Sequence, residues 1–253
     1  MFTAGALAIA GWEWVNMAGI ERQGPRWSFA LALLVIMAVF YQMPSGAILP
    51  VLWVTVIWWA IATWLVSAYP QHKALWSSTP RRLLMGLPVL VGAWLGLNHL
   101  RTGELTLGLW DNNLLLILYT FFVVWAADIG AYFAGRTWGR RKLAPDVSPG
   151  KTWEGVYGGL AVVTALALVV SWMASLPWTT TALLLGVSLI TTAISVVGDL
   201  YASMLKRQRG IKDSSGLLPG HGGVMDRVDS LVAAIPVLAL CFTLLGWLQP
   251  AAA

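Results

Sequence analysis

Charge is the scarcest ingredient of this 253-residue chain: 11% of its residues are Asp, Glu, Lys or Arg, against 58% hydrophobic. A soluble domain carries about 25% charged residues, so an ordinary cytosolic protein and a disordered chain are both excluded. Cysteine is nearly absent: Cys241 stands alone in an apolar run, which excludes a disulfide scaffold. No His/Cys cluster is present, and no basic n-region precedes the first apolar segment, as a signal peptide would require.

Apolar length is abundant instead. Mean hydropathy is +0.72, and 16 tryptophans with 6 tyrosines suit many membrane–water crossings, where amphipathic rings collect. A span needs about 20 mostly apolar residues. Eight segments meet that length, near 1–20, 27–43, 47–69, 82–98, 113–135, 153–175, 178–204 and 224–248. The fold class is therefore an all-α polytopic transmembrane bundle of about eight spans. Pro70, Pro80, Pro149, Pro177 and Pro219 fall in connections, whereas Pro88 and Pro236 fall inside spans and read as kinks. Residues 1–100 read as scaffold helices. Residues 101–253 read as the catalytic part, with two basic loops at 136–152 and 205–224.

Lysine and arginine alternate between connections. They occupy the links after spans 1, 3, 5 and 7, are missing after spans 2 and 6, and number one (Arg101) after span 4. By the positive-inside rule the basic links are cytoplasmic and both chain ends lie outside. An uncharged N-outside start leaves two readings open: eight spans as written, or a further N-terminal helix upstream. The net charge of +5 fits topology plus anionic partners. No aromatic-interleaved basic module of the kind that binds nucleic acid is visible, so none is expected as a partner.

Acidic residues in an apolar span each need a reason. Asp128, Asp199, Asp226 and Asp229 converge at the cytoplasmic ends of spans 5, 7 and 8, beneath the two most basic loops. Asp199, Ser203 and Lys206 share one helical stripe, and Asp226 and Asp229 share another. Each has a purely structural alternative: dipole compensation for Asp226 and Asp229, an ion pair with Lys206 or Arg227 for Asp199, a hydrogen bond for Asp128. Gly198 beside Asp199 permits close approach of a backbone or a ligand. Glu13, between Trp12 and Trp14, remains open between structure and function. Two aspartates without soft ligands suit Mg²⁺, which completes its shell with water and substrate phosphate. Lys206, Arg207, Arg209 and Lys212 supply cations, and Pro219-Gly220-His221-Gly222-Gly223 leads into a helix start, a ready anion site. Ser148 to Gly155 repeats those ingredients but is not a Walker A motif.

The run Ser203 to Arg207, then Lys212-Asp213, then Leu218 to Asp229 covers 27 positions and resembles the signature of phosphatidate cytidylyltransferases. Asp128 to Gly139, Ser148 to Gly155 and Trp12-Glu13-Trp14 are similar to further elements of that family, whose members carry an additional helix before the last of these. The resemblance implies a bacterial inner-membrane enzyme that converts CTP and phosphatidate to CDP-diacylglycerol and pyrophosphate. It implies Mg²⁺ on Asp199 and Asp226, potassium as a second cation, and a homodimer. Lys206 and Arg207 are then expected at the reacting groups. Ser148, Lys151, Thr152, Ser203, Lys212, His221, Gly222, Gly223 and Arg227 are expected to contact substrate, with Asp128, Asp213, Asp229 and Glu154 orienting the ligands. His221 reads equally as a phosphate donor or a loop-shaping residue. A CDP-alcohol phosphotransferase would show a longer aspartate array, a lipid kinase is a weaker rival, and a secondary transporter would show two related halves.

Overall fold

The computed structural model describes residues 2–43, 45–107 and 112–249; Met1, where the first span was expected to begin, lies outside them. The α-helices among the described residues are α1 (Phe2–Met17), α2 (Gln23–Tyr41), α3 (Ile48–Ser67), α4 (Thr79–Thr102), α5 (Asn113–Trp138), α6 (Trp153–Met173), α7 (Trp178–Arg209), α8 (Met225–Val228) and α9 (Leu231–Leu244). Among the described residues seven helical segments are long and apolar enough to cross a membrane, α8 and α9 counting as one. The first helix, at 16 residues, is shorter than the expected span. The chain is a multi-pass membrane protein.

Contacts between the ends of different helices gather the basic connections at one end. Trp14 Nε1 of α1 donates to the Arg82 carbonyl of α4 at 2.8 Å, and Arg209 of α7 pairs with Glu21. At the opposite end β1 (Glu104–Leu105) pairs antiparallel with β4 (Leu248–Gln249). Exposed Trp138 and Trp153 mark the basic end, and exposed Trp172 and Trp178 the other, the belts expected of interfacial aromatics. Pro88 and Pro236 both lie inside helices, as expected.

Helix α4 runs from Thr79 to Thr102, longer than the expected 82–98, so Pro80 stands in its first turn, where a missing N–H costs nothing, rather than in a connection, and Pro149 lies in a short strand (Ser148–Thr152) rather than in an open loop. Three further differences have a local reason. Helix α7 continues to Arg209, so Lys206, Arg207 and Arg209 are helical rather than looped. Cations in a last turn offset the helix dipole, and Gly210 at φ 76° closes the helix in the left-handed conformation. The basic stretch after α5 is a hairpin of β2 (Lys142–Ala144) and β3 (Ser148–Thr152). Its turn is closed by Val147 N–H on the Ala144 carbonyl, with Pro145 in the second position that its fixed φ favours. The eighth span divides into α8 and α9 but keeps helical backbone angles through Asp229 and Ser230, where the Asp229 side chain takes the Ser230 N–H at 2.8 Å and competes with the helical acceptor.

Helices α5 and α6 meet through small residues. A Cβ on Gly130 would sit 2.6 Å from the Gly158 carbonyl, and one on Gly159 would sit 2.8 Å from that of Ala127. Such surfaces let backbones approach where lipid gives helices no hydrophobic reason to associate. Thr152 caps α6 by accepting the Gly155 N–H at 3.2 Å. Overpacking costs about 1–3 kcal/mol, so Gly159→Val is expected to lower stability by that amount, measured by denaturant titration in micelles.

Candidate active site at the basic end

Asp199, Asp226 and Asp229 are each held by a donor, but not by the partners that sequence suggests. Asp199 does not pair with Lys206 or Arg227. Its Oδ2 lies 2.6 Å from Lys151 Nζ on the hairpin, and Ser203 Oγ donates to Oδ1 at 3.3 Å. Lys206 reaches Asp226 Oδ1 instead, also at 2.6 Å, and both side chains are more than nine-tenths buried. The i, i+4 relation of Asp199 and Ser203 thus produces a contact. Lys206, two turns along the same stripe, is drawn to another helix, because a buried ammonium takes the nearest buried carboxylate.

Asp226 Oδ2 accepts three donors: Ser214 N–H at 2.8 Å, Ser214 Oγ at 2.9 Å and Gly223 N–H at 2.9 Å. Asp229 is buried with its Oδ1 on Ser230, and it lies within electrostatic reach of Asp199, Lys206 and Lys151. Asp128 likewise feels Lys151 and Asp199. The close approach that Gly198 permits is to a backbone, since a Cβ there would collide with the Asp229 carbonyl. The structure therefore groups Asp199 with Lys151, Asp128 and Asp229, and Asp226 with Lys206, Ser214 and Gly223. A cavity of about 270 Å³ between α5 and α8 brings Asp128, Asp226, Arg227 and Asp229 to one space. A second, of about 380 Å³, adds Lys151, Thr152 and Arg136 around Asp128.

The remaining residues surround this centre at different distances from it. Arg207 is exposed and donates to the Ile211 carbonyl at 3.1 Å. Lys212 and Asp213 are exposed on the following stretch, with the Asp213 side chain beside Gly222. The His221 ring lies 3.1 Å from the Pro219 carbonyl and Arg227 Nε donates to the His221 carbonyl at 3.0 Å, so both brace the turn. Gly222 has φ 77°, and a Cβ on it would stand 2.7 Å from Asp226 Oδ2. Ser148 is half-buried in β3, opposite Ala144. Glu154 is engaged by the hairpin. It accepts the backbone N–H groups of Arg140 and Arg141 at 3.0 and 3.1 Å, tying the hairpin to α6.

Among the described residues no three His, Cys, Asp or Glu side chains form a preset metal cluster. The donor chemistry still fits a hard cation that takes one or two carboxylates and completes its shell with substrate oxygens. Asp199 is about a third exposed, and Asp226 has Oδ1 free of backbone donors, held by one lysine.

The profile of the cytidylyltransferase family matches residues 1–245. The chain belongs to that family. It is 47% identical over 253 residues to a phosphatidate cytidylyltransferase of Pseudomonas aeruginosa, covering 99% of this chain and 89% of that one. A phosphatidate cytidylyltransferase of Haemophilus influenzae is 42% identical over 248 residues, covering 92% and 85%. One from Bacillus subtilis is 44% identical over 126 residues, about half of each chain.

For this cytidylyltransferase-family chain, sequence reasoning misses Ser214 and Ser215, which lie between the basic run and the glycine-rich turn. Both contact Glu13, and Ser214 also contacts Asp226. Two consecutive hydroxyls following Asp213 are the available signal. Removing one member of a buried ion pair costs about 3–5 kcal/mol. Lys206→Met is expected to destabilise the protein on that scale, and adding Asp226→Asn is expected to recover part of the loss, both read from denaturation midpoints.

Proposed function

We propose that this protein is a phosphatidate cytidylyltransferase, forming CDP-diacylglycerol and pyrophosphate from CTP and phosphatidate. The observation that carries the reading is the 47% identity along the whole chain to the Pseudomonas aeruginosa protein of that name. The clustered aspartates and cations at one end of the bundle agree with phosphate chemistry. A phosphatidate phosphate oxygen attacks the α-phosphorus of CTP. A new P–O bond forms as the α–β anhydride bond breaks, and pyrophosphate leaves with the electron pair. The nucleophile is already an anion, so the protein's work is to position two polyanions and neutralise their charge.

Lys151 and Lys206 stand beside the carboxylates to neutralise phosphate, with Arg207, Lys212 and Arg227 at the rim toward the triphosphate. Asp199 and Asp226 would hold Mg²⁺, with potassium as a second cation, and the bound ion would supply Lewis-acid stabilisation of phosphate oxygens. Asp128 and Asp229 set the negative field around that position. The basic end faces the cytoplasm of a bacterial inner membrane, where CTP is dissolved, while the acyl chains stay in the leaflet. Clustering of the basic links at one end supports this orientation. A homodimer is part of the same proposal.

Purified protein given CTP, phosphatidate and Mg²⁺ is expected to release pyrophosphate. Asp199→Asn is expected to lower that rate by about 100-fold or more, the scale on which a lost charge-stabilising group acts. Lys206→Ala is expected to raise the KM for CTP. Wild-type protein without turnover in lipid micelles would overturn the assignment.

A further inference from the structure

Glu13 is a fully buried carboxylate on α1, a helix otherwise occupied with packing. Its Oε1 accepts Ser215 Oγ at 2.6 Å and Val224 N–H at 3.0 Å. Its Oε2 accepts Met225 N–H at 2.6 Å and lies 3.0 Å from Ser214 Oγ. Asn16, one turn along α1, donates to the Ser214 carbonyl at 2.9 Å. The groups gripped by Glu13 are the immediate neighbours of those gripping Asp226. Gly223 N–H points at Asp226 Oδ2, while the next two N–H groups, of Val224 and Met225, point at Glu13. Ser214 touches both carboxylates with one hydroxyl, and its N–H goes to Asp226. There is no slack between them, because a Cβ on Gly223 would collide with both Ser214 Oγ and Glu13 Oε1.

A buried carboxylate is costly unless its oxygens are fully hydrogen-bonded, and here that requirement is met only while the loop stays in this one conformation. We propose that Glu13 is a positioning residue for Asp226. By holding Ser214, Ser215, Val224 and Met225, it fixes the donors that occupy Asp226 Oδ2 and leaves Oδ1 turned toward Lys206. The proposal rests on the reading of Asp226 as part of the reacting centre. It gives the first helix a share in a site otherwise built from the C-terminal half.

The test compares full-length wild type, Glu13→Gln and Met17→Ala in micelles. Met17 is a fully buried α1 side chain that serves the core. The amide of Glu13→Gln turns an N–H₂ group toward donors that need an acceptor. Glu13→Gln is expected to lower kcat by about 30-fold or more, with the KM for phosphatidate changed less than about 3-fold. Hydrogen exchange is expected to rise at least about 10-fold within residues 213–226, without a comparable rise in α3 or α9. Met17→Ala is expected to lose thermal stability while keeping kcat within about 2-fold of wild type. Adding Ser214→Ala to Glu13→Gln is expected to cost little more than Glu13→Gln alone, as for residues acting as one unit.

A Glu13→Gln protein with wild-type kcat and unchanged exchange in 213–226 overturns the proposal. So does one that, like Met17→Ala, loses only stability. Should wild type itself lack turnover, the function falls, and the exchange arm still decides whether Glu13 holds the loop. Should Glu13→Gln fail to fold, Ser215→Ala removes one donor to Glu13 without touching Asp226. Its expected outcome is a partial fall in kcat, about 5-fold, and an unchanged value overturns the proposal.

Discussion

Two lysine–aspartate contacts, each of 2.6 Å, organise the basic end of the bundle. In an apolar surround an unpaired charge is too expensive to keep, so Asp199 and Asp226 are each paired with a lysine, and the lysine's position dictates the local backbone. Lys151 must reach α7, so the segment bearing it is folded back as a hairpin rather than left as an open loop. Lys206 must reach Asp226, so α7 runs on to Arg209 before Gly210 ends it. The glycine-rich turn then has to deliver Gly223 and Ser214 to the other oxygen of Asp226. Helix ends, hairpin and turn are consequences of the same electrostatic demand.

The architecture around these contacts is largely readable from composition. Apolar stretches near 20 residues, tryptophan at their ends and basic residues in alternate links define the spans, because lipid imposes those patterns on sequence directly. Boundaries are less readable wherever a side chain competes with the backbone, as Asp229 does for the Ser230 N–H. The hairpin is not legible because its strands are three and five residues long and show no alternation of apolar and polar residues.

The membership of the acidic cluster is equally visible in the order of residues along the chain, since charges in spans are rare enough to stand out. Its pairing is not. A lysine ammonium on its flexible four-carbon stem reaches in many directions, and the choice between Asp199 and Asp226 is settled by how α7 lies against the hairpin and α8. Glu13 is visible as an oddity, but its serine partners lie 201 and 202 residues away along the chain, where only the packing of α1 against the turn brings them together. Sequence spacing carries helical neighbours well and through-space neighbours hardly at all.

The glycine-lined contact between α5 and α6 has a mechanical corollary. With Thr152 capping α6 and Glu154 clasping Arg140 and Arg141, the two helices and the strand pair between them form a stiff block. Lys151 rides on that block, and Asp199 rides on α7. Among the described charge pairs the Lys151–Asp199 contact is the one that joins the block to α7, so any shear between the two would be felt there.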